Sequence, residues 1–139
     1  MKTYLNEKWA KFNSRYLLSN YGRWFSLKSM KIVKQNPNNS GYLRLNAKTK
    51  DGRIISFTHI AVVYMFGDCN GKRISPKALL SDMGLTIDHR DGNKLNNMQS
   101  NLELVTFQEN INRKYNKPVL ENSVVKCQKR FIEEMSEIF

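Results

Sequence analysis

The stretch LTIDHRDGNKLNNMQSNLELVT, residues 85–106, holds most of the side chains that could do chemistry. It places His89 directly after Asp88, continues to Asn101, and is followed by Asn110. Histidine is the natural general base near neutral pH. Carboxylate and amide oxygens suit a hard cation such as Mg²⁺ or Mn²⁺, and Mg²⁺ often takes only one or two protein ligands. These residue types are the ones that hydrolysis of a phosphodiester requires, namely a base for water and a cation for the phosphate charge.

The local pattern around these residues predicts strand, polar loop, strand and helix. Residues 85–89 favour a strand, 90–100 a loop and 101–106 a second strand. Thr106 is a predicted N-cap of a helix through Asn116, with Glu109 three residues later in the capping-box position.

Adjacent strand residues point to opposite faces, so Asp88 and His89 can reach one cleft only where the strand breaks. The turn-forming run Asp91-Gly92-Asn93 is typical of such a break. Taken alone, Asp88-His89 is also compatible with a surface pair beside a turn. Asn101 is a candidate to hold the imidazole of His89 in one tautomer through its second nitrogen.

The motif IDHRDGNKLNN, followed by NLELVT and EN, resembles the HNH nucleases, specifically the phage and intron-encoded homing endonucleases. The preceding HIAVVYMF resembles the helix before the motif in that branch, and residues 7–58 resemble its β-rich DNA-binding module. The resemblance implies a ββα-metal fold with one divalent cation. It also implies a catalytic role for His89 as the base, metal ligation by Asp88 and Asn110, and a catalytic role for Asn101 in orienting the histidine.

The net charge is +11, and its distribution along the chain is uneven. The first sixty residues carry twelve Lys or Arg against only Glu7 and Asp51, whereas the remaining residues are nearly balanced. Such asymmetry indicates that the N-terminal half holds a polyanion, with nucleic acid as the prime candidate.

Residues 13–58 are predicted to form one small antiparallel sheet, with Asp51-Gly52 as a two-residue turn. Its polar face would carry Arg44, Lys48, Lys50 and Arg53 into the major groove of duplex DNA, which admits a two-stranded ribbon. Thr58 is a predicted N-cap for an apolar helix that ends at Gly67. Arg113 is a candidate clamp for the phosphate beside the cut. His59, at the start of the apolar helix, is interpreted as structural.

We therefore predict an α+β protein with three parts: a basic β-rich DNA-binding module at 1–58, an HNH ββα-metal nuclease domain at 59–116, and an amphipathic C-terminal helix at 117–139. The helix would pack on its own domain or contact DNA or a partner. The expected function is a metal-dependent endonuclease on double-stranded DNA, a site-specific homing-type nickase using Mg²⁺ or Mn²⁺. We expect a monomer, with a dimer left open, located in the cytoplasm and without a membrane partner, because no run of about 18 apolar residues occurs.

Two other classes of function remain open on the sequence. The first is a DNA-binding regulator whose nuclease fold has decayed, although the intact set of four candidate residues argues against it. The second is an RNA-binding or ribosomal-type protein, which fits the length and charge but leaves the DHRDGN cluster without a role. Divalent-dependent nicking of a plasmid separates the first from a nuclease, and preference for structured RNA would favour the second.

Overall fold

A computed structural model describes residues 2–79 and 84–116, and for residues 114–116 it describes the backbone only. The architecture is α+β, as the sequence predicts, with antiparallel sheets and few helices. The predicted C-terminal helix at 117–139 lies outside the described residues. Among the described residues, no helix has the length and apolar content needed to cross a membrane.

The strands are β1 (Trp9–Lys11), β2 (Tyr16–Ser19), β3 (Trp24–Ser26), β4 (Lys31–Ile32), β5 (Arg44–Thr49), β6 (Gly52–Phe57), β7 (Leu85–His89) and β8 (Leu102–Thr106). The helices are α1 (Thr58–Phe66), α2 (Pro76–Leu79) and α3 (Phe107–Asn116).

The N-terminal region forms two sheets, so the prediction of one sheet over residues 13–58 is wrong. Strands β1 to β4 pair in sequence order as an antiparallel meander, and β5 pairs with β6 as a separate hairpin. The polar segment between β4 and β5 folds back on itself through the bridge between Pro37 and Leu43. Because this segment pairs with itself, β4 and β5 are not hydrogen-bonded neighbours, as they would be in a continuous sheet.

The β5–β6 hairpin turns one residue earlier than Asp51-Gly52. Thr49 pairs with Gly52, so Lys50 and Asp51 are the two loop residues. Gly52 has a φ of 122°, which a residue with a side chain adopts only with strain. The glycine therefore serves the first position of the returning strand rather than the second position of the turn.

One hydrophobic core is shared by the N-terminal sheets, α1 and β8. Its buried members come from residues on both sides of position 58, listed here: Leu18, Trp24, Leu45, Ala61, Val62, Val63 and Leu102. The division of the chain at residue 58 stays a prediction. The shared core means that the position of the nuclease elements depends on packing against the N-terminal strands.

Thr58 is the first residue of α1 rather than its N-cap, which corrects the prediction from the sequence. Phe57 holds the cap position and makes no side-chain cap hydrogen bond. The Thr58 hydroxyl instead accepts a hydrogen bond from the Trp24 indole at 3.0 Å and donates to the side-chain oxygen of Gln35. Because Thr58 is fully buried, these bonds satisfy its hydroxyl inside the core.

The C-terminal described unit is the β7–β8 hairpin with α3 packed against both strands. The predicted strand at 85–89 is confirmed, and the second strand begins one residue later than predicted, after a 3-10 turn at Gln99–Asn101. The Thr106 hydroxyl accepts a hydrogen bond from the backbone N–H of Glu109 at 3.1 Å. This bond confirms Thr106 as the cap that directs the chain from β8 into α3.

Candidate active site

Asp88 and His89 are the last two residues of β7, and both are buried. The hairpin register pairs Asp88 with Glu103 and His89 with Leu102. The two side chains have different neighbours, as expected for adjacent strand residues. Asp88 contacts α3, whereas His89 contacts the loop after β7 and the aromatic residues that lead into and out of the β5–β6 hairpin.

The loop after His89 is organised by Asp91. Its carboxylate accepts hydrogen bonds from the side-chain amides of Asn96 and Asn101 and from the backbone N–H of Asn93. Gly92, with a φ of 76°, donates its backbone N–H to the carbonyl of His89 at 2.8 Å. The turn chemistry predicted for residues 91–93 is thus confirmed, and it fixes the path of the chain directly after the candidate base.

Asn101 is fully buried and makes its hydrogen bonds to the loop. Its amide nitrogen donates to Asp91 at 2.9 Å and to the carbonyl of Asn96 at 2.8 Å, and its amide oxygen accepts the Asp91 backbone N–H at 3.0 Å. Both amide hydrogens are therefore used away from the imidazole. Any effect of Asn101 on the orientation of His89 passes through the loop, and its catalytic role stays a prediction.

Asn97 makes a hydrogen bond with the ring of His89. The Asn97 amide oxygen lies 2.7 Å from Nε2 of His89, in a buried position. The sequence interpretation did not identify this contact. A doubled asparagine in a polar loop has no periodicity that would reveal which of the two points inward.

The ring of His89 lies against a cluster made by Tyr42 and His59. The His59 ring stacks on Tyr42 at 5.0 Å between centroids and lies 5.5 Å from the ring of His89. Tyr42 itself lies 6.1 Å from His89, and Lys94 lies over the Tyr42 ring at 4.8 Å. His59 was expected to be structural, and the structure places both His59 and Tyr42 beside the candidate base.

His59 is a neutral imidazole at physiological pH. Burial lowers its pKa from 6.5 to about 4, and the neighbouring His89 contributes in the same direction. Its Nδ1 atom is buried and has no hydrogen-bond partner among the described residues.

Arg113 connects α3 to both strands of the hairpin. One of its terminal nitrogens lies 3.1 Å from the carboxylate of Asp88 and 2.6 Å from that of Glu103. The hydrogen bond to Glu103, followed by that to Asp88, raises the pKa of Arg113 above its ordinary value despite partial burial. Asn110 lies three residues before Arg113 on α3, the spacing at which side chains are neighbours on a helix.

The two predicted ligands have the chemistry of a hard-cation site, and their ligation of one cation stays a prediction. A carboxylate from Asp88 and an amide oxygen from Asn110 are oxygen ligands, and Mg²⁺ completes such a set with water and phosphate oxygens. Among residues 2–79 and 84–113, no three His, Cys, Asp or Glu side chains group as a metal-binding cluster.

The predicted DNA-binding residues of the N-terminal half lie on the β5–β6 hairpin. The register places Arg44, Lys48 and Arg53 on one face, with Lys50 in the turn. Arg53 donates a hydrogen bond to the side-chain oxygen of Asn46 on the same face at 2.9 Å. Strands of six residues extend about 20 Å at ~3.3 Å per residue, so this basic ribbon projects that far from Tyr42 and His59 at its base.

Comparisons with known proteins agree with this geometry. Residues 57–111 match a family model described as HNH endonuclease. The chain is 29% identical over 110 residues to the DNA endonuclease I-HmuI of Bacillus phage SP01, which covers 78% of this chain and 56% of that protein. A solved structure of DNA binding and cleavage by the HNH homing endonuclease I-HmuI is similar with a TM-score of 0.61 and 28% identity, over 88% of this chain and 66% of that one. The chain thus spans little more than half the length of the curated relative.

Proposed function

We propose that this chain is a metal-dependent endonuclease that hydrolyses phosphodiester bonds of duplex DNA as a homing-type nickase. In this proposal, residues 57–111 are an HNH endonuclease domain homologous to that of I-HmuI. The observation that carries the proposal is the end of β7. There two consecutive residues supply a buried carboxylate, Asp88, and a buried imidazole, His89, and α3 is packed against the strand.

His89 would act as the general base that takes a proton from the attacking water. The amide oxygen of Asn97 lies 2.7 Å from Nε2 and would hold the ring in place. The packing of Tyr42 and His59 against the ring restricts its rotation. Asn101 would serve the reaction by holding the loop that carries Asn97.

Asp88 and Asn110 would hold one divalent cation, for which we propose Mg²⁺ or Mn²⁺. When bound, such a cation offsets the charge that develops on the phosphate and on the departing 3′-oxygen. Asp88 is 6% exposed, so the carboxylate lies in a low-dielectric position where attraction to a cation is stronger than in water. Asn110 adds a neutral oxygen donor from the neighbouring helix.

Arg113 would contact the phosphate beside the cut. Its guanidinium is hydrogen-bonded to Asp88 and Glu103, and about a third of the side chain is exposed. A cation on Asp88 would weaken the ion pair of that carboxylate with Arg113. The guanidinium would then be available to a phosphate oxygen while Glu103 keeps it near the site.

Duplex DNA would be held by the basic ribbon formed by β5 and β6. Three cationic side chains share one exposed face of the ribbon, and a two-stranded ribbon has the width of the major groove. The N-terminal half also carries nearly all the net positive charge. Electrostatic attraction to phosphates would therefore supply a large part of the affinity.

The test is cleavage of a supercoiled plasmid, followed by the same assay on a library of random duplexes to recover the site. With Mg²⁺ the wild-type chain should convert supercoiled to open-circular DNA, and a chelator should stop the reaction. His89→Ala should reduce cleavage by at least about 1000-fold while changing the Kd for the same DNA by less than about threefold, since the base makes most of its contribution in the transition state. Full cleavage by His89→Ala would reject the assignment, and binding without metal-dependent cleavage by the wild type would favour a DNA-binding regulator.

A further inference from the structure

We propose that Ile55 is a specificity-determining residue that contacts the C5-methyl group of a thymine in the major groove. The inference rests on the proposed function in one respect, which is the binding of duplex DNA to the ribbon formed by β5 and β6. It goes further because it assigns one kind of base to one side chain. It concerns binding alone and can therefore be tested without cleavage.

The two faces of the ribbon differ in exposure. Side chains alternate between the faces along each strand. One face carries Leu45, which is fully buried, and Ile54, which is half-buried. The opposite face carries Ile55, which is 48% exposed. The outward isoleucine breaks the alternation of inward apolar and outward polar residues that is usual where one face of an antiparallel pair is solvated.

Ile55 lies in the middle of the basic face of the ribbon. It is directly opposite Asn46, so this row of the face carries no charge. The row nearer the turn pairs Lys48 with Arg53, and the row on the other side contains Arg44. Neighbouring rows on one face are about 6.6 Å apart, which corresponds to about two base-pair steps of 3.4 Å. The cations can therefore meet phosphates while the uncharged row between them faces base edges.

The chemistry of the major groove identifies the group that an apolar side chain can contact there. Single exposed apolar side chains are common on protein surfaces, so the position of Ile55 between cations carries the argument rather than its exposure. Phosphates offer no apolar partner, and the one apolar group on a base edge in the major groove is the C5-methyl of thymine. Contact between that methyl and Ile55 would remove both from water. The minor groove presents no methyl group, so the contact also specifies the groove.

An ordered cation lies beside this uncharged row. The guanidinium of Arg53 donates a hydrogen bond to the side-chain oxygen of Asn46 at 2.9 Å. Asn46 is the cross-strand partner of Ile55, so the bond connects the cationic row to the uncharged row. A phosphate bound by Arg53 would therefore fix the position of the DNA relative to Ile55.

The experiment measures binding to duplexes that differ by one methyl group. A site is first recovered from a random duplex library by selection for binding to the full-length chain in the presence of a chelator. Each thymine of the site is then replaced in turn by deoxyuridine, which keeps the hydrogen-bonding groups and lacks only the methyl. Fluorescence anisotropy gives the Kd for each duplex. For the wild type, replacement of at least one thymine should weaken binding about three- to fivefold, the effect of one buried methyl group.

The variant Ile55→Ala connects this effect to the side chain. It should bind the thymine duplex and the sensitive deoxyuridine duplex with Kd values within about 1.5-fold of each other, because the partner of the methyl is gone. Ile54→Ala is the matched control, since it removes the same atoms from the adjacent residue on the opposite face, and it should keep the wild-type ratio. Lys48→Gln should weaken binding to both duplexes equally, because a phosphate contact does not depend on the base.

The outcomes separate this inference from the proposed function. An unchanged Kd for every deoxyuridine duplex with the wild type would overturn the inference, as would a ratio that Ile55→Ala retains, and either result leaves a nuclease function standing. If the ratios behave as expected but the wild type does not cleave DNA with Mg²⁺, the nuclease function fails while the thymine contact stands. A wild type that does not bind duplex DNA would overturn both.

Discussion

Among the individual side chains, Arg113 has the most direct effect on the proposed cation site. Its guanidinium lies against the same carboxylate of Asp88 that would ligate the cation. A positive group already beside the ligand must be displaced or pushed aside when a cation binds. The ion pair therefore opposes cation binding in the absence of DNA, and it can be relieved when a phosphate attracts Arg113.

We predict that Arg113→Gln binds Mn²⁺ about fivefold more tightly than the wild type without DNA, because a partly exposed ion pair is worth up to ~1 kcal/mol. The same variant should cleave DNA more slowly, since the phosphate contact is lost. Electron paramagnetic resonance of Mn²⁺ measures the first effect. Arg90→Gln is the matched control, because Arg90 lies 3.9 Å from Glu103 in the same carboxylate network. Equal Mn²⁺ affinity in wild type and Arg113→Gln would contradict the competition.

His59 should make the folded protein less stable as the pH falls. Burial lowers the pKa of His59 from 6.5 to about 4, so below pH 6.5 the unfolded chain takes up a proton that the folded chain refuses. The contribution of the neutral His59 to the free energy of unfolding is fully present above pH 6.5 and is lost as the pH falls toward 4. Between pH 7 and pH 5 the loss is about 2 kcal/mol.

Urea unfolding at pH 7 and pH 5 checks this effect. His59→Phe keeps a ring to stack on Tyr42 but removes the titration, so its free energy of unfolding should change less over this interval than that of the wild type by about 2 kcal/mol. Remaining above pH 5 limits the contribution of carboxylates, whose ordinary pKa values lie near 4. The same pH dependence in both proteins would show that His59 is not the group responsible.

Among the secondary-structure elements, those predicted well from the sequence have local signals. The hydroxyl of Thr106 and the turn residues after His89 act on backbone groups within a few positions, and they fix β7, β8 and α3. The one-sheet prediction failed at β4, which is only two residues long, because the pairing of such a short strand is decided by its neighbours.

The part of the site that the sequence did not reveal comes from contacts between distant positions. Tyr42, His59 and His89 are brought together by the return of β6 into α1 and by packing in the shared core. No periodicity relates residues so far apart along the chain. The motif therefore supplied the candidate groups at residues 88–110, whose roles stay predictions, whereas the residues that surround His89 became visible only in the fold.

The turn between β2 and β3 is expected to support the site through Gly22. With a φ of 79° and a Cβ position 2.8 Å from Asn97, Gly22→Ala adds both backbone strain and a collision. Gly71→Ala is a matched control, because Gly71 has a φ of 78° and no atom within 4 Å of its Cβ position. Both variants should lose about 1 kcal/mol of stability from strain. Gly22→Ala should lose about 1–3 kcal/mol more stability from the collision, as measured by urea unfolding. It should also cleave DNA more slowly in a single-turnover assay. Equal losses of stability in the two variants would show that Asn97 moves to accommodate the added Cβ.

The β5–β6 ribbon should determine how DNA affinity depends on salt. Each phosphate contact contributes about 0.9 to the slope of log K against log salt concentration. Replacing both Lys48 and Arg53 by Gln should reduce that slope by up to about 2 and weaken binding. The control replaces Lys72 and Lys77 by Gln, which changes the net charge equally at exposed positions outside the ribbon. Fluorescence anisotropy over a salt series measures the slope of log K against log salt concentration. The same slope in both double variants would contradict the role of the ribbon.

For the chain as one body, the proposed site has one base, His89, and one ligand carboxylate, Asp88, so the proposed nuclease should make one cut per binding event. A single general base activates one water, and cutting the second strand requires the site to be presented again with the opposite polarity. We predict that the chain is a monomer by light scattering at the concentration used for cleavage. Nicking should then rise in proportion to protein concentration, with open-circular DNA accumulating before linear DNA. Linear product formed from the first turnover, with a rate that rises as the square of protein concentration, would instead show that two copies act together on the duplex.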